Sequence, residues 1–238
     1  MSMKSHWHVG VAIPARNEEY LLPRCLRSIH QAREAVSGLA TVDIVVVADS
    51  STDRTLDIAT KMLGSSGRAV CIHAGMVGAA RAMGARLLLD RAACQLSRHW
   101  IANTDADCVV PPDWLVSQLA LAEASIEAIA GIVSVDSFDE HSPETPARFR
   151  SSYTIEPGGL HPHIHGANMG VRADLYVRAG GWLPLDTAED HDLWRRLSQK
   201  GARRLSTSCI SVQTSGRRIG RAPKGFAGAL ASHNGNAA

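Results

Sequence analysis

"VDIVVVADSSTDRT", residues 42–55, decides how the chain is read. Its first seven residues are almost continuously apolar and rich in β-branched side chains, the composition of a strand buried on both faces of a parallel sheet. A strand with one wet face would alternate instead. The polar run that follows, from Asp49 to Thr55, supplies good helix N-cap residues, and Leu56, Ile58, Ala59 and Met62 then recur at helical spacing. The unit is strand, turn, helix.

The same unit recurs on both sides. "VGVAI" (9–13) ends at Pro14 and is followed by Leu21, Leu22, Cys25, Leu26 and Ile29 at helical spacing; "AVCI" (69–72) precedes a Gly/Ala-rich helix from about Gly78 to Ala92; "HWIAN" (99–103) precedes Asp105 and Asp107. Four such units in a row predict an α/β fold: an open, mainly parallel twisted sheet with helices on both faces, right-handed crossovers and a Rossmann-like N-terminal half. Leu115, Leu119, Ala122 and Ile126 predict a further helix after Pro112, and "AIAGIVSV" (128–135) a fifth strand. Residues 136–165 are polar, proline-bearing and weakly patterned, which marks a functional loop. Order is expected again over 166–182 and in a helix at 189–201.

With 238 residues, 45% of them hydrophobic, the chain has enough material for one α/β core. A single domain is expected over 1–216, in two halves at 8–135 and 136–216, with a flexible tail at 217–238 that is basic and then Gly/Ala/Asn-rich. Charged residues are 20% of the chain and the formal net charge is +2, so no global field points to nucleic acid. Cys25, Cys71, Cys94, Cys108 and Cys209 lie far apart with no C-x-x-C pair, as reduced cysteines of a cytoplasmic protein do. The N-terminus lacks the pattern of a signal peptide, and no run approaches the roughly 20 apolar residues of a membrane-spanning helix. Peripheral membrane contact is compatible with that composition.

In open parallel sheets ligands bind at the carboxyl ends of the strands, where the strand-to-helix loops gather. Three acidic or polar clusters fall there: Asn17 to Glu19, Asp49 to Asp53, and Asp105 with Asp107. Crowded carboxylates repel, and a hard divalent cation such as Mg²⁺ or Mn²⁺, shared with substrate phosphates, would compensate them. Asp105 and Asp107 alone also read as turn residues.

Six stretches, "VAIPARNEE", "VVVADSSTDRT", "GAARAMGA", "NTDADCVVPPDWL", "GANMGVRADLYVRAGGW" and "EDHDLWRRL", stand in the order and approximate spacing of the family-two glycosyltransferases of GT-A fold. The chain resembles that family from about residue 8 to 216. The resemblance implies a nucleotide-diphospho-sugar donor, a divalent metal (Mn²⁺ or Mg²⁺) and inverting transfer of the sugar to an acceptor hydroxyl of unknown identity. It implies that Pro14, Arg16 and Glu18 line the nucleoside pocket, that Asp49 meets the base edge, and that Arg81 lies near base and diphosphate. Asp105 would lie by the ribose or the metal, and Asp107 would be the firmer metal ligand. On the acceptor side it implies Asn168 and Trp194, with Asp190 as catalytic base and Glu189 beside it; His165, from the histidine-bearing loop, is expected on the same side.

Elementary chemistry asks for the same division of labour. Breaking a sugar–phosphate bond leaves charge on a diphosphate, which a metal stabilises as a Lewis acid. A carboxylate across the anomeric carbon takes the acceptor proton. Several residues also have plainer readings. Glu18, Glu189 and Asp190 suit the first turn of a helix, Asp53 is a helix-start residue, and Arg81 reads equally as a solvated helix residue. His161, His163 and His165 alternate and would share one face of an extended segment, which suits acceptor-loop histidines or a transition-metal site. The basic run Arg217, Arg218, Arg221 and Lys224 reads as a diphosphate clamp or as a solvated tail.

Three positions depart from the family pattern: Ala48 precedes Asp49 where relatives often have two Asp, Ala82 follows Arg81 where Asn is common, and "VQTSGRR" (212–218) carries Thr214 and Ser215 where a metal-completing His is often found. A nucleotidyltransferase of related fold and a noncatalytic nucleotide-sugar-binding subunit are the alternatives. The first should carry a glycine-rich basic loop after strand one, where "PARNEE" is acidic.

Overall fold

A computed structural model describes residues 6–90, 95–221 and 225–234. Cys94, Lys224, the expected helix end at Ala92 and both chain ends lie outside the described residues.

The four expected units are present. Strands β1 (Trp7–Ala15), β2 (Ala40–Asp49), β3 (Gly67–Ile72) and β4 (His99–Asn103) are each followed by a helix: α1 (Leu22–Ala35), α2 (Thr55–Leu63), α3 (Val77–Leu89) and α4 (Trp114–Glu123). Then come β5 (Ala128–Val135), α5 (Thr145–Ser152), β6 (Met169–Arg172), α6 (Ala173–Arg178), α7 (Glu189–Gln199), β7 (Arg204–Thr214) and α8 (Phe226–Ala231). One seven-stranded sheet results, in the order β3-β2-β1-β4-β6-β5-β7. β1 pairs parallel with β2 and β4, β2 with β3, and β5 with β7, while β6 runs antiparallel between β4 and β5. The expected open, mainly parallel architecture stands.

Strand alternation divides the core between the two faces. Val9, Val11 and Ile13 of β1 pack with Leu22, Cys25, Leu26, Ile29 and Ala32 of α1, and the same layer takes in Trp114 and Leu115 of α4. Ala12, Val45 and Val47 face Ala80 and Leu88 of α3 on the other side. Gly10 belongs to that side because a Cβ there would lie 2.8 Å from Leu88. Further along, Ile101, Ala130, Met169 and Val171 pack on Leu175 of α6 and on Leu193 and Leu197 of α7. Burying a Leu or Ile fully stabilises by about 1.5–3 kcal/mol, so the two layers account for most of the drive to this fold.

Two elements depart from the sequence reading. The stretch 136–165, expected as loop, contains α5, whose only fully buried residue is Thr145. β7 extends the sheet beyond β5, with a register shift between Gly131 and Ile132. The expected tail from 217 begins with Arg217 ion-paired inside the molecule, and α8 sets Phe226 against Phe149 of α5 at 5.9 Å. Cys25 and Cys108 are buried and Cys71 and Cys209 exposed, all as free thiols. Among the described residues no helix is long and apolar enough to cross a membrane.

Candidate active site

A cleft of about 480 Å³ opens at the carboxyl edge of β1, β2 and β4. Pro14, Arg16, Glu18, Asp49, Arg81, Asp105, Asp107, His165, Glu189 and Asp190 all line it. Asn168 and Trp194 are not among its lining residues. The Asn168 amide is spent inside the protein: Oδ1 accepts from Trp114 Nε1 at 3.0 Å, and Nδ2 donates to Ile132 O at 2.8 Å and Ile210 O at 3.0 Å. It ties β5 and β7 to α4. The Trp194 ring lies under the Arg204 guanidinium at 4.7 Å, and Arg204 Nη1 donates to the Trp194 carbonyl. Both side chains are thus engaged with the fold outside the cleft lining.

The loops after β1 and β2 fix one another. Asn17, at φ 53, accepts through Oδ1 from the Thr52 amide at 2.8 Å, and its own amide donates to Ser51 Oγ at 3.1 Å. Asp53 accepts from the Thr55 amide at 2.9 Å and the Glu19 amide at 3.0 Å, the helix-start role read from the sequence. Burial works against its ionised form, but hydrogen bonds from Thr55 and Glu19 prevail and lower its pKa. Asp49, 4% exposed, accepts from the amides of Ala74, Gly75 and Met76 at 2.8–2.9 Å and from Ser50 Oγ at 3.0 Å. Its carboxylate therefore holds the loop between β3 and α3 in place at the cleft wall.

Arg81 is 2% exposed, which removes the solvated-helix reading. Its Nη2 donates to Asp105 Oδ1 at 2.7 Å and its Nε to Glu189 Oε1 at 3.1 Å, with the Trp182 ring 5.4 Å from the guanidinium. Gly166 is required beside it, since a Cβ there would stand 2.5 Å from Arg81 Nη2. Burial pushes the Glu189 carboxyl up, and the charge of Arg81 opposes that rise. Asp190 Oδ2 accepts from the Gly166 amide at 2.8 Å and Oδ1 from the His191 amide at the same distance. Ala188, held left-handed at φ 57, turns the chain into α7 so that both acids face the cleft.

Asp107 is 9% exposed, and burial raises its pKa above the ordinary carboxylate value despite Arg217. Arg217 Nη2 donates to Asp107 Oδ2 at 2.5 Å and to Glu18 Oε1 at 2.6 Å. Glu18 is likewise pushed up by burial, with Arg217 opposing. Nothing in the local sequence around Arg217 distinguished it from its exposed neighbour Arg218. Its contact with Glu18 spans 199 positions of chain.

Asp105, Asp107 and Cys108 are the one group of three metal-competent side chains among the described residues, with ligand atoms within 4.8 Å of each other. The two carboxylates suit a hard cation. Cys108 does not, because only a thiolate ligates and burial raises its pKa well above that of a free thiol. Asp105 and Asp107 together would fit Mg²⁺ or Mn²⁺. The imidazoles of His161, His163 and His165 stack instead of converging, with His163 lying 4.0 Å from the Tyr153 ring at 13°. The Tyr153 hydroxyl accepts from the Val133 amide and pairs with His165 Nε2 at 2.9 Å. Burial lowers the His165 pKa to about 4, so its ring is neutral at pH 7. Thr214 and Ser215 line the cleft where a histidine is absent.

The family model described as Glycosyl transferase family 2 matches residues 10–178. No curated protein matches the chain by sequence. Among solved structures, S. aureus TarS 1-349 in complex with UDP-GlcNAc is similar at TM-score 0.66 and 16% identity, covering 92% of this chain and 61% of that one. The mannosyltransferase PcManGT from Pyrobaculum calidifontis, in complex with GDP-Man and Mn²⁺, aligns at TM-score 0.66 and 19% identity, covering 91% and 59%. GalNAc-T7 with UDP, GalNAc and Mn²⁺ aligns at 0.65 and 14%, covering 89% and 44%. The chain thus spans about three-fifths of the length of the first two. At these identities the likeness shows the fold.

Proposed function

The chain belongs to glycosyl transferase family 2, and from that membership we propose that it moves a sugar from a nucleotide-diphospho-sugar to an acceptor hydroxyl, with inversion and with a divalent metal. The observation that carries this reading is the bridge made by Arg81. One buried guanidinium spans Asp105 and Glu189, and so fixes the separation between the acids after β4 and those that open α7. A transferase needs two acidic sites on opposite sides of the anomeric carbon, one for the leaving group and one for the incoming nucleophile. The donors named for TarS and PcManGT support the donor class.

Residue roles follow from position and chemistry. Pro14, Arg16, Glu18 and Asp49 form the nucleoside end of the cleft. Asp107, with Asp105 beside it, would hold Mn²⁺ or Mg²⁺, which supplies Lewis-acid stabilisation of the departing diphosphate. Asp190 takes the acceptor proton, its carboxylate oriented by the Gly166 and His191 amides. Glu189 acts through Arg81 as a positioning residue, since one of its oxygens is taken by that ion pair. His165, neutral and hydrogen-bonded to Tyr153, lines the acceptor end.

The test is release of UDP or GDP from a panel of their common sugar conjugates with Mn²⁺, in the presence of pooled hydroxyl acceptors. Turnover of one conjugate, lost in EDTA, is expected. Nucleotide binding without turnover of any conjugate would count against the proposal.

A further inference from the structure

The expected metal ligand, Asp107, already has a cation on it. A single nitrogen of Arg217 bridges Asp107 Oδ2 and Glu18 Oε1, and Arg221 Nε stands 3.8 Å from the same Glu18 oxygen. The backbone beneath Arg217 is fixed. The Gly216 amide donates to Asp136 Oδ1 at 2.8 Å, the Gly216 carbonyl is bonded to His141 Nε2 at 2.8 Å, and the Arg218 amide donates to Glu140 Oε2 at 2.8 Å. Gly216 has no room for a side chain, since a Cβ there would meet the Ser137 carbonyl. The guanidinium is thus carried on a long flexible stem from a clamped base.

A guanidinium stays charged at every working pH, so it leaves Asp107 only by exchange and not by titration. A divalent ion at Asp107 Oδ2 would sit against that charge and be repelled. A diphosphate is the natural acceptor for a displaced arginine, because its oxygens match the guanidinium fork and carry more negative charge than one carboxylate. We propose that Arg217 is the resident cation of this cleft: it neutralises Glu18 and Asp107 while the donor is absent, and passes to the donor diphosphate as the divalent metal takes Asp107. Metal and donor therefore enter together, and metal alone is held off. This inference rests on the transferase reading above.

The test measures Mn²⁺ alone, without nucleotide, by the electron paramagnetic resonance of the free ion, in wild type, Arg217→Gln and Arg217→Met. Arg217→Gln is expected to bind Mn²⁺ about tenfold more tightly than wild type, since the competing charge is gone. Arg217→Met, which removes the same charge from a side chain of similar length, should give a similar gain, and it keeps the test valid if the first variant folds poorly. Adding UDP or GDP, whichever binds, should tighten Mn²⁺ strongly in wild type and much less in Arg217→Gln. Equal Mn²⁺ affinity in all three proteins, together with metal-dependent nucleotide binding, overturns the exchange and leaves the transferase reading standing. Absence of Mn²⁺ binding in every protein, with and without nucleotide, overturns both.

Discussion

Asp49 and Asp107 are both buried acids at or just beyond the carboxyl end of a strand, yet they are held by opposite means. Asp49 is gripped by three backbone amides of the loop between β3 and α3. Asp107 is held by one arginine side chain whose position lies 110 residues further along the chain. Backbone amides cannot leave, so a carboxylate satisfied by them is part of the scaffold. A guanidinium can be exchanged for another cation, so a carboxylate satisfied by it is available to a ligand. The same contrast separates Asp53, whose pKa is lowered, from Glu18, Asp107 and Glu189, whose pKa values burial raises. Asp53 ionises more easily than a free Asp, while Glu18, Asp107 and Glu189 ionise less easily and are opposed in that chiefly by their arginines.

The contrast breaks most sharply on Asp190, which is held by amides but is assigned chemistry. Asp190→Asn keeps the shape of the side chain and one of its two amide contacts, the other amide then facing the side-chain NH2, while removing the base; transfer should fall by about 10²–10⁴-fold with donor binding little changed. Near-normal transfer in a nucleotide-sugar turnover assay would remove Asp190 from its role. Next in size is Asp107→Asn. It should weaken Mn²⁺-dependent donor binding by roughly a hundredfold in calorimetry, yet change urea stability by no more than about 1 kcal/mol, because Arg217 keeps Glu18. Asp49→Asn should shift the balance of effects toward lost stability. An amide side chain cannot accept all three amides, so stability should fall by about 2 kcal/mol in urea, with donor affinity of the folded fraction lowered less than by Asp107→Asn.

The smallest effect is on pH. Asp107 has a folded pKa above its unfolded value, so its protonated form is favoured in the native state. Its contribution to stability is present below the unfolded value and is lost as pH rises through the folded one. Metal ligation needs the ionised form, and the sign there is opposite. Mn²⁺-dependent donor binding should therefore decline on acidification while the pH is still above the ordinary Asp value, before stability does. Loss of binding only in step with unfolding would place the sensitive group elsewhere.

How far the sequence carried this reading depends on where each partner lies. Glu18, Asp49, Asp105 and Asp107 were legible because β-branched runs identify parallel strands, and parallel strands put their following loops at one edge. Arg217 was read as clamp or tail, and its partners could not be named, because its place depends on β7. That strand went unread because the register shift opposite Gly131 breaks its alternation: Thr207 is buried and the next buried residue is Ile210, three positions on. The partners of Asn168 are hidden from the sequence for the same reason, since one of its acceptors is the Ile210 carbonyl on that strand. α5 showed no apolar stripe to read because it buries only Thr145.

The most direct measurement is calorimetric titration of the wild-type protein with UDP and with GDP, first with Mn²⁺ and then with EDTA. The expected result is binding of one nucleotide with Mn²⁺ and its loss on chelation. Binding of neither, or binding that EDTA leaves unchanged, would contradict a cleft in which Asp107 exchanges one cation for another.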